Sequence, residues 1–143
     1  MSETTVLLVD DEEDFVTVLA ERLERRGLTV DTAESGEAAV ERVEEHGYDA
    51  ILLDMAMPGM DGIQTLKQLL AINSDLQVVL LTGQSTLHQA VEAMKLGALD
   101  FLEKPADIET LVAKIDDAAR RTTRLQDKRV EQSISDIVRK KGW

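Results

Sequence analysis

The chain has 143 residues, 28 acidic against 16 basic, and no cysteine. That excludes a disulfide framework, a Cys-ligated metal or iron–sulfur centre and thiol catalysis. The 43% apolar and 31% charged fractions fit one folded globular domain rather than a disordered chain. No apolar run approaches the roughly 18 residues of a membrane span, so no membrane insertion is expected. The N-terminal MSETT leads straight into an apolar run, which predicts no signal peptide and a cytoplasmic protein.

The elements alternate. Thr5–Val9 is an apolar run that stops at Asp10-Asp11 and reads as a buried strand. Phe15, Val18, Leu19 and Leu23 recur at helical spacing, and Gly27 ends that helix. Leu28 to Ala33 is a weaker strand. Ser35 is placed to cap a helix whose inner face carries Ala38, Ala39, Val40 and Val43. Ala50–Leu53 is a third strand, ending at Asp54. The stretch Met57 to Gly62 reads as a turn-rich loop, and Ile63, Leu66, Leu69 and Leu70 as the helix after it. Val78–Leu81 is a fourth strand ending at Thr82-Gly83. Leu87, Ala90, Val91 and Met94 mark a helix closed by Gly97. Asp100–Leu102 is a short fifth strand before Glu103-Lys104-Pro105, and Ile108, Leu111, Val112, Ile115 and Ala119 mark a fifth helix.

Strands that are apolar throughout are expected where helices cover both faces of a parallel sheet. The fold class is therefore α/β, a doubly wound five-stranded parallel sheet. Residues after about 120 differ. They are rich in Arg and Lys, with Val130, Ile134, Ile137 and Val138 as an apolar stripe. This basic amphipathic tail, residues 124–143, reads as an extension of the fifth helix or as a separate helix. The charge divides the same way: residues 1–119 hold 25 acidic and 8 basic side chains, residues 120–143 hold 3 and 8. An acidic body repels nucleic-acid phosphates, and eight cations without interleaved aromatics are few, so no direct nucleic-acid binding is expected. The tail reads as a solvated helix or as a dimerisation or partner helix.

In open parallel sheets ligands bind beyond the carboxyl ends of the strands. Those ends carry Asp10 and Asp11, Asp54, Thr82 and Lys104. Two like charges about 4 Å apart repel by roughly 4 kcal/mol at an effective dielectric near 20. Such a rim therefore protonates or binds a cation, and an oxygen-only donor set suits Mg²⁺. With two acids holding the ion, Asp54 is the candidate nucleophile for a phosphoryl group. Lys104 would hold one phosphoryl oxygen and Thr82 would hydrogen-bond another. His46 and His88 read as solvated surface residues. Met55, Met57 and Met60 read as loop packing, and Trp143 as an unpacked chain end.

The stretches VLLVDDEED (6–14), ILLDMAMPGMDG (51–62), VVLLTGQS (78–85) and GALDFLEKP (97–105) together resemble response-regulator receiver domains of two-component signalling. The resemblance covers roughly residues 4–123. It implies the flavodoxin-like strand order 2-1-3-4-5, Asp54 as phosphoacceptor, and Mg²⁺ held by Asp10, Asp11, Asp54 and the backbone carbonyl of Ala56. It implies Thr82 and Phe101 as switch residues, Lys104 as the phosphate-binding lysine, and a cis Lys104–Pro105 peptide. The implied partners are a sensor histidine kinase or histidine phosphotransfer protein, and a downstream protein at the face of helix 4, strand 5 and helix 5. A homodimer through the tail stripe is a further expectation. No output domain is visible, which fits a stand-alone receiver or a fragment of a larger regulator. Only slow self-phosphorylation and autodephosphorylation are expected as chemistry. Two alternatives stay open: an adaptor that keeps the fold without needing phosphate, and an aspartyl-phosphate phosphatase. For the latter, Ala56 stands where a second Asp would be needed. Phe101 replaces the tyrosine of many receivers, and Ala106 follows Pro105 where phenylalanine is common.

Overall fold

The apolar runs do become strands, and the three central ones are buried on both faces. The computed structural model describes residues 3–57 and 60–142. Strands β1 (Thr5–Val9), β2 (Thr29–Ala33), β3 (Ala50–Asp54), β4 (Val78–Thr82) and β5 (Asp100–Glu103) form one parallel sheet in the order β2-β1-β3-β4-β5. Between them run α1 (Glu13–Glu24), α2 (Gly36–Glu45), α3 (Gly62–Ile72) and α4 (Leu87–Leu96), with a short 3₁₀ turn at Gln84–Thr86 before α4. Helix α5 (Ile108–Lys140) closes the chain.

Alternate residues of each strand serve opposite faces. Leu7, Val9, Ile51, Leu53, Val78 and Leu80 pack under α2, α3 and α4. Val6, Leu8, Ala50, Leu52, Val79 and Leu81 pack under α1 and α5. The two cores explain why the central strands show no polar alternation. The edge strand β2 is half-buried over Thr29–Thr32, which is why its sequence signal is weaker.

Local signals set the ends. Ser35 Oγ accepts from the Ala38 N–H at 3.1 Å, and Asp61 makes a reciprocal capping box with Gln64. Gly27 and Gly97 take φ of 86° and 120° after α1 and α4, a region that side chains with a Cβ avoid. Met55 and Met57 are buried in the core beneath α2–α4, so the methionine loop packs as expected. His46 and His88 are exposed. The loop residues Pro58 and Gly59, and Trp143, lie outside the described residues. Helix α5 is one uninterrupted helix of 33 residues, so the tail is its extension and not a separate helix. Among the described residues, no helix is long and apolar enough to cross a membrane.

Candidate functional site

Parallel register places the strand ends side by side. Asp54 is the last residue of β3 and pairs in register with Leu81, one residue before Thr82 at the end of β4. Thr82 in turn lies beside Glu103, one residue before Lys104. Asp10 follows β1 directly, and its N–H is held by the Ala33 carbonyl of β2. Asp10, Asp11 and Asp54 each offer a carboxylate oxygen, all within 4.8 Å of one another. Asp10 and Asp54 are buried, whereas Asp11 is exposed at the mouth. All three acids inferred from the sequence therefore share one strand-end rim.

Lys104 bridges the buried pair. Its Nζ donates to Asp10 Oδ2 at 3.0 Å and stands 3.6 Å from Asp54 Oδ1. The same ammonium lies 4.4 Å from the centre of the Phe15 ring, a cation–π contact. Burial pulls the Lys104 pKa down. The hydrogen bond to Asp10 and the charges of Asp54, Asp10 and Glu12 outweigh it, so the group sits above its ordinary value and stays charged. Asp54 is shifted up from 3.8, first by burial and then by the charge of Asp10. The Ala56 N–H and Lys104 counteract that shift only in part.

Backbone donors fix the acids. The Glu12 N–H reaches Asp10 Oδ1 at 3.0 Å, and the Ala56 N–H reaches Asp54 Oδ1 at 3.2 Å. Ala56 itself is exposed beside the rim. The Thr82 hydroxyl donates to the Leu102 carbonyl of β5 at 3.4 Å, a long and weak bond. Phe101 is half-buried against the α2–α4 core, and its N–H bonds to Asp100 Oδ1 at 2.8 Å. The Lys104–Pro105 peptide is cis.

Two contributors escape a reading by motif. Phe15 registers in the sequence only as a core-spaced apolar residue, yet its ring carries the lysine. Thr86 closes the β4–α4 turn, its Oγ1 accepting from the Gly83 N–H at 2.9 Å. Spacing alone flags neither; the nearness of Phe15 to the acidic loop is the one available signal.

The donor set fits a hard divalent cation: three carboxylate oxygens, no sulfur, and one acid open to solvent. Mg²⁺ takes oxygen ligands at about 2.0–2.1 Å and retains several waters, so one acid in a cluster this wide can act through water. A like-charged trio, one member of which is shifted upward, is an electrostatic deficit that such an ion relieves.

This combination of fold and rim defines a class. Residues 6–116 match the family described as response regulator receiver domain, and the chain belongs to that family. It is the receiver domain of a two-component response regulator, in a family whose members act as signalling switches and bind Mg²⁺ at an acidic cluster.

The transcriptional regulatory protein ZraR of Escherichia coli is 42% identical over 117 residues, which cover 82% of this chain and 26% of that protein. The receiver domain protein of Clostridium thermocellum superposes with a TM-score of 0.82 at 31% identity, covering 85% of this chain and 98% of the other. NtrX of Brucella abortus, solved in complex with ADP, gives a TM-score of 0.77 at 25% identity, covering 99% of this chain and 30% of that one. The chain thus spans about a quarter of ZraR.

Proposed function

We propose that the chain is a phosphorylation switch in which Asp54 accepts a phosphoryl group from a phosphohistidine of a sensor kinase or phosphotransfer protein. The observation that carries this reading is the buried Asp54 carboxylate flanked by Asp10, Asp11 and Lys104 at one strand rim. An Asp54 oxygen forms the new P–O bond while the donor P–N bond breaks, and the bonding pair returns to the imidazole nitrogen, which takes up a proton. Lys104, within 4 Å of Asp54, is the cation for the transferred oxygens. Asp10, Asp11, Asp54 and the Ala56 carbonyl are the proposed holders of Mg²⁺, which supplies charge neutralisation for the anionic centre.

The switch follows from Thr82 and Phe101. A phosphoryl group brings about −1.5 to −2 of charge and three acceptor oxygens. The long Thr82–Leu102 bond is a weak competitor, so the hydroxyl turns to the new oxygens. Half-buried Phe101 moves inward as the second part of the same switch. The surface of α4, β5 and α5 changes, and a downstream protein reads it. We take residues 4–123 as the receiver unit and 124–143 as the basic tail. The unit is signalling machinery rather than an enzyme of turnover.

The test is labelling with a small phosphodonor and Mg²⁺. Wild type gains one base-labile, hydroxylamine-sensitive phosphoryl group, and Asp54→Asn gains none. Undiminished labelling of that variant would remove Asp54 from its role. Steady turnover of a phosphomonoester would favour the phosphatase reading instead.

A further inference from the structure

Lys104 is held at both ends of its stem. Its backbone N–H donates to the Thr82 carbonyl at 2.7 Å, which roots the residue on β4. At the tip, Nζ donates to Asp10 Oδ2 at 3.0 Å and lies 4.4 Å from the centre of the Phe15 ring. Both tip contacts come from one segment, the β1–α1 connection and the first turn of α1. The Glu12 N–H bonds Asp10 Oδ1 at 3.0 Å, and the Glu12 carbonyl accepts from the Val16 N–H at 2.9 Å where α1 begins. The turn that fixes Asp10 therefore also fixes Phe15.

The two contacts differ in kind. Asp10 takes a hydrogen bond from the ammonium. The ring attracts the charge through its quadrupole and offers no lone pair, so it steadies the ammonium without tying up a donor in a strong hydrogen bond. Such steadying matters because a lysine stem is flexible and its ammonium is strongly hydrated. The Lys104 side chain is partly open to solvent, and exposed Glu12, Glu13 and Asp14 offer it carboxylates there. Phe15 is half-buried and fixed. With Lys104 it lines a cavity of about 160 Å³ shared with Leu19, Leu81, Pro105 and Leu111, so the lysine stem has apolar neighbours while its charge meets the ring.

We propose that Phe15 is a positioning residue for phosphoryl transfer: its ring holds the Lys104 ammonium at the rim beside Asp54, where the incoming phosphoryl oxygens need a cation. The inference rests on the reading of Asp54 as phosphoacceptor. Phe15 touches no reacting atom and acts through Lys104. Without the ring's attraction the lysine spends more of its time among water and the exposed acids, and each transfer must first recover the productive pose. The charge distribution of the ring, and not only its bulk, therefore sets the rate.

Site-specific replacement of Phe15 by singly, doubly and triply fluorinated phenylalanine keeps the shape of the ring and drains charge from its face. Labelling by a small phosphodonor with Mg²⁺ should slow stepwise along the series, by about three- to tenfold at its end. Phe15→Leu should slow it at least as much, and Phe15→Tyr should stay near wild type. In carbon–proton spectra the Lys104 ε-methylene should be shifted upfield by the ring, and should return to the ordinary lysine position in Phe15→Leu. Mg²⁺ affinity, read by calorimetric titration, should not fall in any of these variants, because the acids are untouched. A rate indifferent to fluorination, an unshifted Lys104 signal in wild type, or an Mg²⁺ affinity that falls along the series would overturn the proposal. A wild type that takes no label would fell the Asp54 reading and this one with it; a labelled wild type insensitive to fluorination fells this one alone.

Discussion

Lys104 hydrogen-bonds Asp10 at 3.0 Å and stands farther, at 3.6 Å, from Asp54. The lysine occupies the charge-neutralising role at Asp10 that a metal ion would share. Lysine and cation therefore compete electrostatically for the same acids, even though the phosphoryl group needs both.

That competition gives the first prediction. Lys104→Ala removes a charge lying within 4 Å of two carboxylates. Mg²⁺ affinity, read by calorimetric titration, should rise by about three- to tenfold because a like charge has left the rim. Labelling by a small phosphodonor should fall in the same variant. Reduced Mg²⁺ affinity would mean that the lysine supports the metal rather than opposes it.

The raised pKa of Asp54 gives the second. Burial, then the charge of Asp10, disfavours its ionised form in the fold. Above the folded pKa the group is ionised both folded and unfolded, and the fold bears the full penalty. Below about 3.8 it is protonated in both states, and the penalty is gone. Stability contributed by this group thus falls as pH rises through that window. Asp54→Asn should gain about 1–2 kcal/mol at pH 7.5, a Tm rise of about 3–6 °C. The gain should shrink steadily as pH is lowered toward 4. A constant gain across the series would point to packing rather than charge.

Much of this could be read from the residues alone, for a physical reason. Parallel strands buried on both faces leave unbroken apolar runs, and their ends carry the chemistry, so Asp54, Thr82 and Lys104 stand out once the runs are found. What stays hidden depends on side-chain direction. Nothing in the spacing tells that Lys104 sits nearer Asp10, that Phe15 carries its ammonium, or that the Thr82 hydroxyl faces Leu102. The continuity of α5 is hidden for another reason. Between Ala119 and Val130 the apolar pattern lapses, and the helix is held there by polar ties from Thr122 and Arg129 that hydrophobic periodicity does not register.

Gly62 supplies the third prediction. A Cβ there would meet Met55 Cα at 2.8 Å and Met55 Sδ at 2.7 Å. The first contact is backbone, so the β3–α3 connection must move, and that connection carries Ala56. Gly62→Ala should cost about 1–3 kcal/mol from overpacking. It should also weaken Mg²⁺ binding, whereas a merely local clash would lower Tm and leave the titration unchanged.

The last prediction concerns the foot of α5. Thr122 is buried, and its hydroxyl spans the Asp49 carbonyl at 2.7 Å and the Ala118 carbonyl at 3.1 Å. The first bond is long-range in sequence and joins helix to sheet; the second is internal to the helix. Valine preserves the branched shape but removes the donor, leaving the Asp49 carbonyl without this partner. Thr122→Val should therefore cost about 1–2 kcal/mol in chemical denaturation. Hydrogen exchange should speed up in α5 from about Ala118 onward, and not in α1 or α3, because only the anchor of the projecting tail is lost. Phosphodonor labelling should stay at the wild-type level, since Asp54 lies at the opposite end of β3 from Asp49. Faster exchange throughout the sheet would instead show that the tie supports the whole domain.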